Sequence, residues 1–350
     1  MNARRWFIRL ILSLWAVSAS AQVFGSIGPS ADGFAQPDPA YRLSFPADHG
    51  PHPAFRIEWW YVTANLTDSD GRNYGIQWTL FRSALAPETG EGWSSPEVWM
   101  GHAAVTTPDL HLSEERFARG GIGQAGVKPE PFYAWIDEWR MEGPTLSTVR
   151  MTAQGSEFSY DLQLTADMPF VMHGDAGYSV KTPDGQASHY YSQPFYDVSG
   201  TLNLPDGPAE VTGTAWLDRE WSSDELSGGF AGWDWFGLTL DGGERLMGAR
   251  MRNAGGATAF SAATWIASDG TVTAFPDGAF TAAPLETTEV AGREVPVRWR
   301  IALPARGLEA TVVALNDHAW MDTSFSYWEG PVFVSGSHTG RGYLEMTGYE

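Results

Sequence analysis

The sequence has 350 residues, of which 43% are hydrophobic, and a formal net charge of −20 at pH 7. This length is enough for two domains that each have a core of ordinary size. The acidic balance argues against nucleic acid and anionic lipid surfaces as partners. Because the chain contains no cysteine, a disulfide framework and a cysteine nucleophile are both excluded.

The first 21 residues have the composition of an export signal. Three arginines precede an apolar stretch over residues 10–17, and residues 19–21 form a small-residue cleavage pattern. The paired arginines fit the twin-arginine route as well as the general secretory route. Because the apolar stretch is too short to span a bilayer as a helix, we predict a signal peptide over residues 1–21. The mature protein is then periplasmic or secreted and has no stable membrane insertion.

The first strong structural pattern after the signal is a β-hairpin. Residues 56–66 are rich in aromatic and β-branched side chains and contain neither glycine nor proline, which is typical of a strand. An Asp-Gly turn follows at residues 70–71, and residues 74–82 alternate as a returning strand.

A second hairpin of the same kind occurs later in the chain. An aromatic strand over residues 233–240 is followed by a glycine turn and by an apolar strand over residues 246–252. The recurrence indicates an internal duplication, and further Asp-Gly turns separate short strand-like segments. We therefore predict an all-β protein with two similar domains. Periodicity alone leaves sandwiches and closed barrels equally open.

The polar, turn-rich segment 168–194 is predicted to link or cap the two halves. This interpretation puts one domain at residues 22–195 and the other at residues 196–350.

Several common catalytic motifs are absent. The sequence has no Gly-x-Ser-x-Gly elbow, no His-Glu-x-x-His zinc helix and no phosphate-binding glycine loop. His49 and His52 have a spacing that two metal ligands could use, but a third ligand would have to come from elsewhere. We favour a hydrogen-bonded loop for this pair and expect neither a metal nor a cofactor.

Residues 213–222 contain the best candidate acids. Read as a strand, they place Trp216, Asp218 and Glu220 on one face and Arg219 and Trp221 on the other. In an apolar barrel one of the two carboxyls would tend to keep its proton, as proton transfer to or from carbon requires. The alternative is that both acids pair with arginines.

Two further acids lie in aromatic surroundings. Asp234, between Trp233 and Trp235, is a candidate catalytic acid whose neighbours could stabilise a carbocation, or it is solvated. Glu58 precedes three aromatic residues, and there we favour a structural corner that holds a barrel closed. The 17 tryptophans and 18 phenylalanines exceed what two small barrel cores need, which favours a binding cavity.

These segments together resemble the lipocalin-like family that joins AttH-type proteins, often described as predicted secreted hydrolases, with the carotenoid 1,2-hydratases, or hydroxyneurosporene synthases. The resemblance covers nearly the whole predicted mature chain, at residues 45–52, 58–61, 101–105, 216–222, 232–236, 327–330 and 342–349. It implies two packed lipocalin-like β-barrels with an apolar cavity near their junction. In the hydratase branch, water is added to the terminal double bond of an acyclic carotenoid without a cofactor.

One difference from the hydratase branch concerns the mechanism. That branch has histidine directly after the aspartate of this strand, whereas this chain has Arg219, which cannot shuttle a proton near neutral pH. Asp218, Trp221 and Asp234 match the family motif. Any acid chemistry would therefore use Asp218, Glu220 or Asp234.

We predict an exported protein that binds a hydrophobic, isoprenoid or acyl-chain ligand, with hydration or hydrolysis as its possible chemistry. A non-catalytic lipid carrier is the alternative, and an enzyme acting on a glycan is a third hypothesis. The residues predicted to bind the ligand are Trp216, Trp221, Trp233, Trp235, Glu58, Trp60, Tyr61 and His52.

Overall fold

The computed structural model describes residues 31–224 and 230–349. These residues contain no α-helix, and none of them belongs to a helix long and apolar enough to cross a membrane. The predicted signal peptide lies outside the described residues. The described residues include three short 3₁₀ helices, at Ala47–His49, Gly92–Ser94 and Pro304–Arg306.

The first half of the chain forms one 13-stranded antiparallel sheet. Its main path runs β4-β3-β2-β1-β13-β12-β9-β8-β7-β6-β5, and β10 and β11 pair with β12. The strands are β1 (Ile57–Asp68), β2 (Asn73–Ala84), β3 (Glu97–Thr106), β4 (His111–Arg119), β5 (Ala125–Pro129), β6 (Phe132–Ile136), β7 (Trp139–Thr145), β8 (Thr148–Gln154), β9 (Ser159–Thr165), β10 (Val171–Met172), β11 (Tyr178–Val180), β12 (Ala187–Leu204) and β13 (Gly207–Ser222).

The second half forms a 10-stranded sheet with the path β17-β16-β15-β14-β23-β22-β20-β19-β18, and β21 pairs with β22. The strands are β14 (Phe230–Leu240), β15 (Arg245–Asn253), β16 (Thr258–Ile266), β17 (Val272–Phe275), β18 (Thr281–Val290), β19 (Arg293–Leu303), β20 (Leu308–Ala314), β21 (Trp320–Met321), β22 (Tyr327–Gly336) and β23 (Gly340–Met346).

Both sheets begin with one of the predicted hairpins. The first strand of each half pairs with the second strand of that half and also with its last strand, so β1 lies between β2 and β13, and β14 lies between β15 and β23. Each sheet wraps around its own buried core. The prediction of an all-β protein with two lipocalin-like barrels is confirmed.

The sheets do not divide where the sequence suggested. The boundary predicted between residues 195 and 196 falls inside β12, and the chain leaves the first sheet after Ser222 and enters the second at Phe230. The sequence signal near Pro194 marks a β-bulge between Gln193 and Tyr196, where the register with β13 shifts. Proline has no amide to donate to a ladder, so its tolerated place in a strand is such a bulge.

The two barrels pack together through aromatic side chains. Tyr61 and Trp216 of the first barrel meet Trp235 and Tyr343 of the second in one buried cluster. Six tryptophans are fully buried, and the structure places them at Trp60, Trp78, Trp139, Trp221, Trp299 and Trp328. Many of the aromatic residues therefore fill cores, while a separate set surrounds the junction.

Candidate functional site

A cavity of about 170 Å³ lies at the junction of the two barrels. The first barrel contributes β1, β2, β11, β12 and β13 to its wall, and the second contributes β14, β15, β16, β22 and β23. The lining is mostly apolar, and its large side chains include Trp59, Phe81, Trp233, Trp235, Met251 and Phe260. An apolar cavity with a few polar groups has the usual composition of a small-molecule site.

Strand alternation decides which side chains reach this cavity. In β13, Asp218 and Glu220 line the cavity, whereas Trp221 lies in the core of the first barrel and Arg219 is fully buried beside it. Asp218 and Glu220 therefore share a face, as the two-residue period predicts. In β1, Trp59 and Tyr61 line the cavity by the same rule, and the intervening Trp60 belongs to the first barrel's core.

Asp218 is a buried carboxyl that accepts three hydrogen bonds. The Tyr190 hydroxyl and the Trp216 indole Nε1 each donate at 2.6 Å, and the Ser192 hydroxyl donates to the same oxygen as the indole. Burial raises the pKa of Asp218 to about 7, because desolvation outweighs the three hydrogen bonds that favour the charged form. Asp218 can therefore release or accept a proton close to neutral pH.

A series of hydrogen-bonded side chains leads from Asp218 into the protein interior. Ser192 Oγ lies 2.6 Å from His173 Nε2, and His173 Nδ1 lies 2.9 Å from Thr264 Oγ1 in the second barrel. Although serine, histidine and aspartate meet here, Ser192 is fully buried and does not line the cavity. The histidine is oriented by a threonine rather than by the acid, so the arrangement differs from a serine-hydrolase triad.

Glu220 faces the cavity as part of an ion pair. Lys181 Nζ lies 2.7 Å from its Oε1, and the Ser188 hydroxyl donates to the same oxygen at 2.5 Å. Lys181 also stands over the Tyr190 ring, with Nζ 4.4 Å from the ring centroid. The segment predicted to link or cap the halves therefore packs on β12 of the first sheet and supplies Lys181 to the cavity wall.

The sequence reasoning missed two glutamates of the second barrel. Glu345 lines the cavity and accepts a hydrogen bond of 2.6 Å from Trp233 Nε1. Glu329 lies directly opposite it on the neighbouring strand and is fully buried. The alternation of side chains in β23 could have identified Glu345. Because Leu344 lies in the core of the second barrel, its neighbours Tyr343 and Glu345 point to the opposite face of the strand.

Burial also controls the protonation of these two glutamates. It raises the pKa of Glu345 to about 7, and the nearby charges of Asp218 and Glu220 act in the same direction. The pKa of Glu329 is raised well above its ordinary value, first by burial and then by the charge of Glu345. Tyr61 and Tyr327 lie close enough to affect Glu329, but neither contact has the geometry of an ordinary hydrogen bond.

Asp234 does not line the cavity. Its neighbours Trp233 and Trp235 do, so Asp234 points into the second barrel, where it is fully buried. It forms ion pairs with Arg250 at 2.5 Å and Arg252 at 3.2 Å. Asp234 is therefore separate from the carboxyls that line the cavity. It is neither a catalytic acid in the cavity wall nor a solvent-exposed residue, which were the two predicted alternatives.

Glu58 lies inside the first barrel at a buried polar corner. Its carboxylate forms ion pairs with Arg82 and Arg219 and accepts hydrogen bonds from the His52 backbone amide. Arg219 stacks on Trp60, 3.8 Å from the ring centroid. Glu58 therefore lies outside the cavity, at a buried corner of the kind expected for it, and Arg219 is also absent from the cavity lining.

The remaining predicted residues belong to the same corner. His52 stacks on Trp221 with ring centroids 3.9 Å apart, and its two nitrogens face Glu58 and Asp48. His49 instead contacts the Tyr191 hydroxyl at 2.6 Å. The two histidines therefore have separate partners, and across residues 31–224 and 230–349 no group of three or more acid or histidine side chains is arranged to hold a metal ion.

The fold and the site define a two-barrel lipocalin-like protein with an acid-lined cavity between its barrels. Residues 36–349 match the model of the AttH-like family, so the chain belongs to that family. An AttH protein of Nitrosomonas europaea is 33% identical, with a TM-score of 0.82, over 90% of this chain and 99% of that one.

Two more distant structures share the fold. Kievitone hydratase from Nectria haematococca is 14% identical, with a TM-score of 0.66, and CghA crystallised with Sch210972 is 12% identical, with a TM-score of 0.55. Each match covers 91% of this chain and 97% of the other. No curated protein sequence matches the chain.

Proposed function

We propose that this protein binds an uncharged apolar molecule in the cavity between its barrels and catalyses cofactor-free acid/base chemistry on it, with hydration of a carbon–carbon double bond as the reaction. The observation that carries the proposal is Asp218, a carboxyl on an apolar cavity wall whose pKa burial raises to about 7. Such a group is matched to proton transfer near neutral pH.

The charges of the wall favour an uncharged ligand. Among the described residues, four carboxyl side chains line the cavity, at Asp218, Glu220, Asp224 and Glu345. Lys181 is the only cation among the described lining residues, and it is already paired with Glu220. A free fatty acid or a phosphate would meet uncompensated negative charge, so a neutral isoprenoid or an ester fits better.

Hydration would use these groups in three steps. A protonated carboxyl transfers its proton to one alkene carbon, and the other carbon becomes a cation. The cation forms beside the aromatic faces of residues such as Trp59, Tyr61 and Trp235, which attract positive charge. Water then adds its oxygen to the cation and loses a proton to an ionised carboxylate, so the product gains one hydrogen and one hydroxyl. A hydratase with the same fold, kievitone hydratase, supports this choice of reaction.

The first experiment measures displacement of the neutral dye Nile red by farnesol and by palmitate. We expect farnesol to displace the dye and palmitate to do so poorly. The protein is then incubated with farnesol or lycopene in oxygen-18 water, and products are analysed by mass spectrometry for one added labelled water. Asp218→Asn should lower hydration by about 100-fold or more while retaining the dye, since a general acid or base contributes at least that factor.

Asp161→Asn is the matched control, because Asp161 is an exposed acid of the first barrel paired with Arg150. Binding of farnesol without turnover would overturn catalysis and favour a carrier. Failure of every apolar probe to bind would overturn the assignment of the cavity to an apolar ligand and favour a polar substrate such as a glycan.

We further propose that the protein works outside the cytoplasm, because residues 1–21 have the composition of an export signal. Cell fractionation of the full chain and of a chain lacking those residues tests this. Equal cytoplasmic retention of both would contradict it.

A further inference from the structure

We propose that Glu345 is the general acid of the hydration and that Asp218, on the opposite barrel, is its general base. This assignment rests on the proposed function and deepens it. Asp218 comes from β13 of the first sheet and Glu345 from β23 of the second, and both side chains line the same cavity. Two carboxyls that line one cavity from different barrels can act on the two carbons of one double bond.

The hydrogen bonds of the two carboxyls differ. Asp218 accepts from Ser192, Tyr190 and Trp216, and three donors favour a charged carboxylate. Glu345 accepts from Trp233 alone among the described residues. A carboxyl with one donor in an apolar wall is the better holder of a proton, so the geometry makes Glu345 the acid and Asp218 the base.

The charges of Asp218 and Glu220 provide a second reason for Glu345 to stay protonated, because both act to raise its pKa. Glu329 is directly opposite Glu345 across β22 and β23, where two charged carboxylates would repel each other. Burial raises the pKa of Glu329 well above the usual value, and the nearby Tyr61 and Tyr327 do not outweigh it. Glu329 therefore remains neutral, and it is Glu345 that exchanges its proton with the cavity.

The proposed step balances without a cofactor. The Glu345 proton forms a new C–H bond at one alkene carbon, using the π electron pair, and leaves a carboxylate. Water forms a C–O bond at the other carbon, and its released proton goes to Asp218. One proton must then return from Asp218 to Glu345, and the three hydrogen-bond donors on Asp218, against one on Glu345, favour this direction because they stabilise the ionised Asp218.

The test combines turnover with a direct view of the carboxyls. Wild type, Glu345→Gln, Asp218→Asn and the double variant are assayed with farnesol and lycopene in heavy water. We expect each single variant to lose about 100-fold or more of the rate at which deuterium enters the alkene carbon. The double variant should lose little more than either single one, because the two groups act as a unit.

Glu309→Gln is the matched control, since Glu309 is an exposed acid on β20 of the same barrel. Retained Nile red binding shows that each variant keeps its cavity. A Glu345→Gln protein that binds the dye and still hydrates at the wild-type rate would overturn the assignment.

Infrared difference titration of protein labelled at its glutamate carboxyls separates the two proposals. We expect a protonated glutamate signal that titrates near pH 7, disappears in Glu345→Gln and moves to lower pH in Asp218→Asn, because removal of the Asp218 charge favours ionisation of Glu345. An unchanged titration in Asp218→Asn overturns the pairing. A wild type with the coupled titration but no hydration overturns the proposed function while leaving a proton-sharing pair in the cavity.

Discussion

Replacement of Glu58 by glutamine should destabilise the first barrel strongly, although Glu58 lies outside the cavity. Glu58, Arg82 and Arg219 are all fully buried, and the one carboxylate pairs with both guanidinium groups. Removing one partner of a buried ion pair costs about 3–5 kcal/mol, since the remaining charges lose their compensation. In a domain of this size that loss lowers Tm by roughly 6–20 °C.

The assay is thermal unfolding followed by circular dichroism, with Asp161→Asn as the control. Asp161 and Arg150 are about half exposed, so their pair should contribute only about 0–1 kcal/mol. If Glu58→Gln changes Tm no more than this control, the corner does not stabilise the barrel and the reasoning is refuted.

The effect of Glu58 also has a defined pH dependence. Burial alone would raise its pKa, but the charges of Arg82 and Arg219 outweigh burial and hold the pKa well below the ordinary 4.5. A lowered folded-state pKa stabilises the protein above the unfolded value, and this contribution is lost as pH falls through the folded value. The stability difference between wild type and Glu58→Gln should therefore be constant near neutrality and shrink only below about pH 4.5.

Three further outcomes follow from the structure. Initial hydration rates should have a maximum near pH 7 and fall on both sides, because Asp218 must be ionised while Glu345 is protonated and the pKa of each is raised to about 7. Asp234→Asn should lower Tm, since it leaves two buried arginines uncompensated, but should leave Nile red affinity unchanged; a weaker affinity would contradict its placement away from the cavity. Gly75→Val should lower Tm and increase proteolysis, because a Cβ there would lie 2.5 Å from Pro331 Cγ across the barrel junction; wild-type stability would refute that close packing.

The sequence by itself determined the two hairpins and the strand that carries Asp218 and Glu220. The predicted segments 56–66 and 74–82 correspond to β1 and β2, and the later pair corresponds to β14 and β15. Aromatic and β-branched runs separated by Asp-Gly turns specify such hairpins locally. The same local rule put Asp218 and Glu220 on one face of β13, because successive side chains of a strand point to opposite sides whatever the strand packs against.

The domain boundary required the tertiary structure. Pro194 reads in sequence as the end of an element, yet the ladder on either side of its bulge continues through β12. A proline is compatible with either outcome, and only the pairing of β12 with β13 distinguishes them.

Only the tertiary structure decided which face of each strand meets the cavity. Residues 215–222 of β13 are all buried, one face against the core of its own barrel and the other against the junction, so hydropathy offers no contrast between the two sides. Asp234 and Glu345 were equally ambiguous. The two barrels meet on the face of β14 and β23 that carries Trp233, Trp235 and Glu345, so Glu345 points toward the first barrel. Asp234 lies on the opposite face of β14 and points toward two arginines of its own barrel.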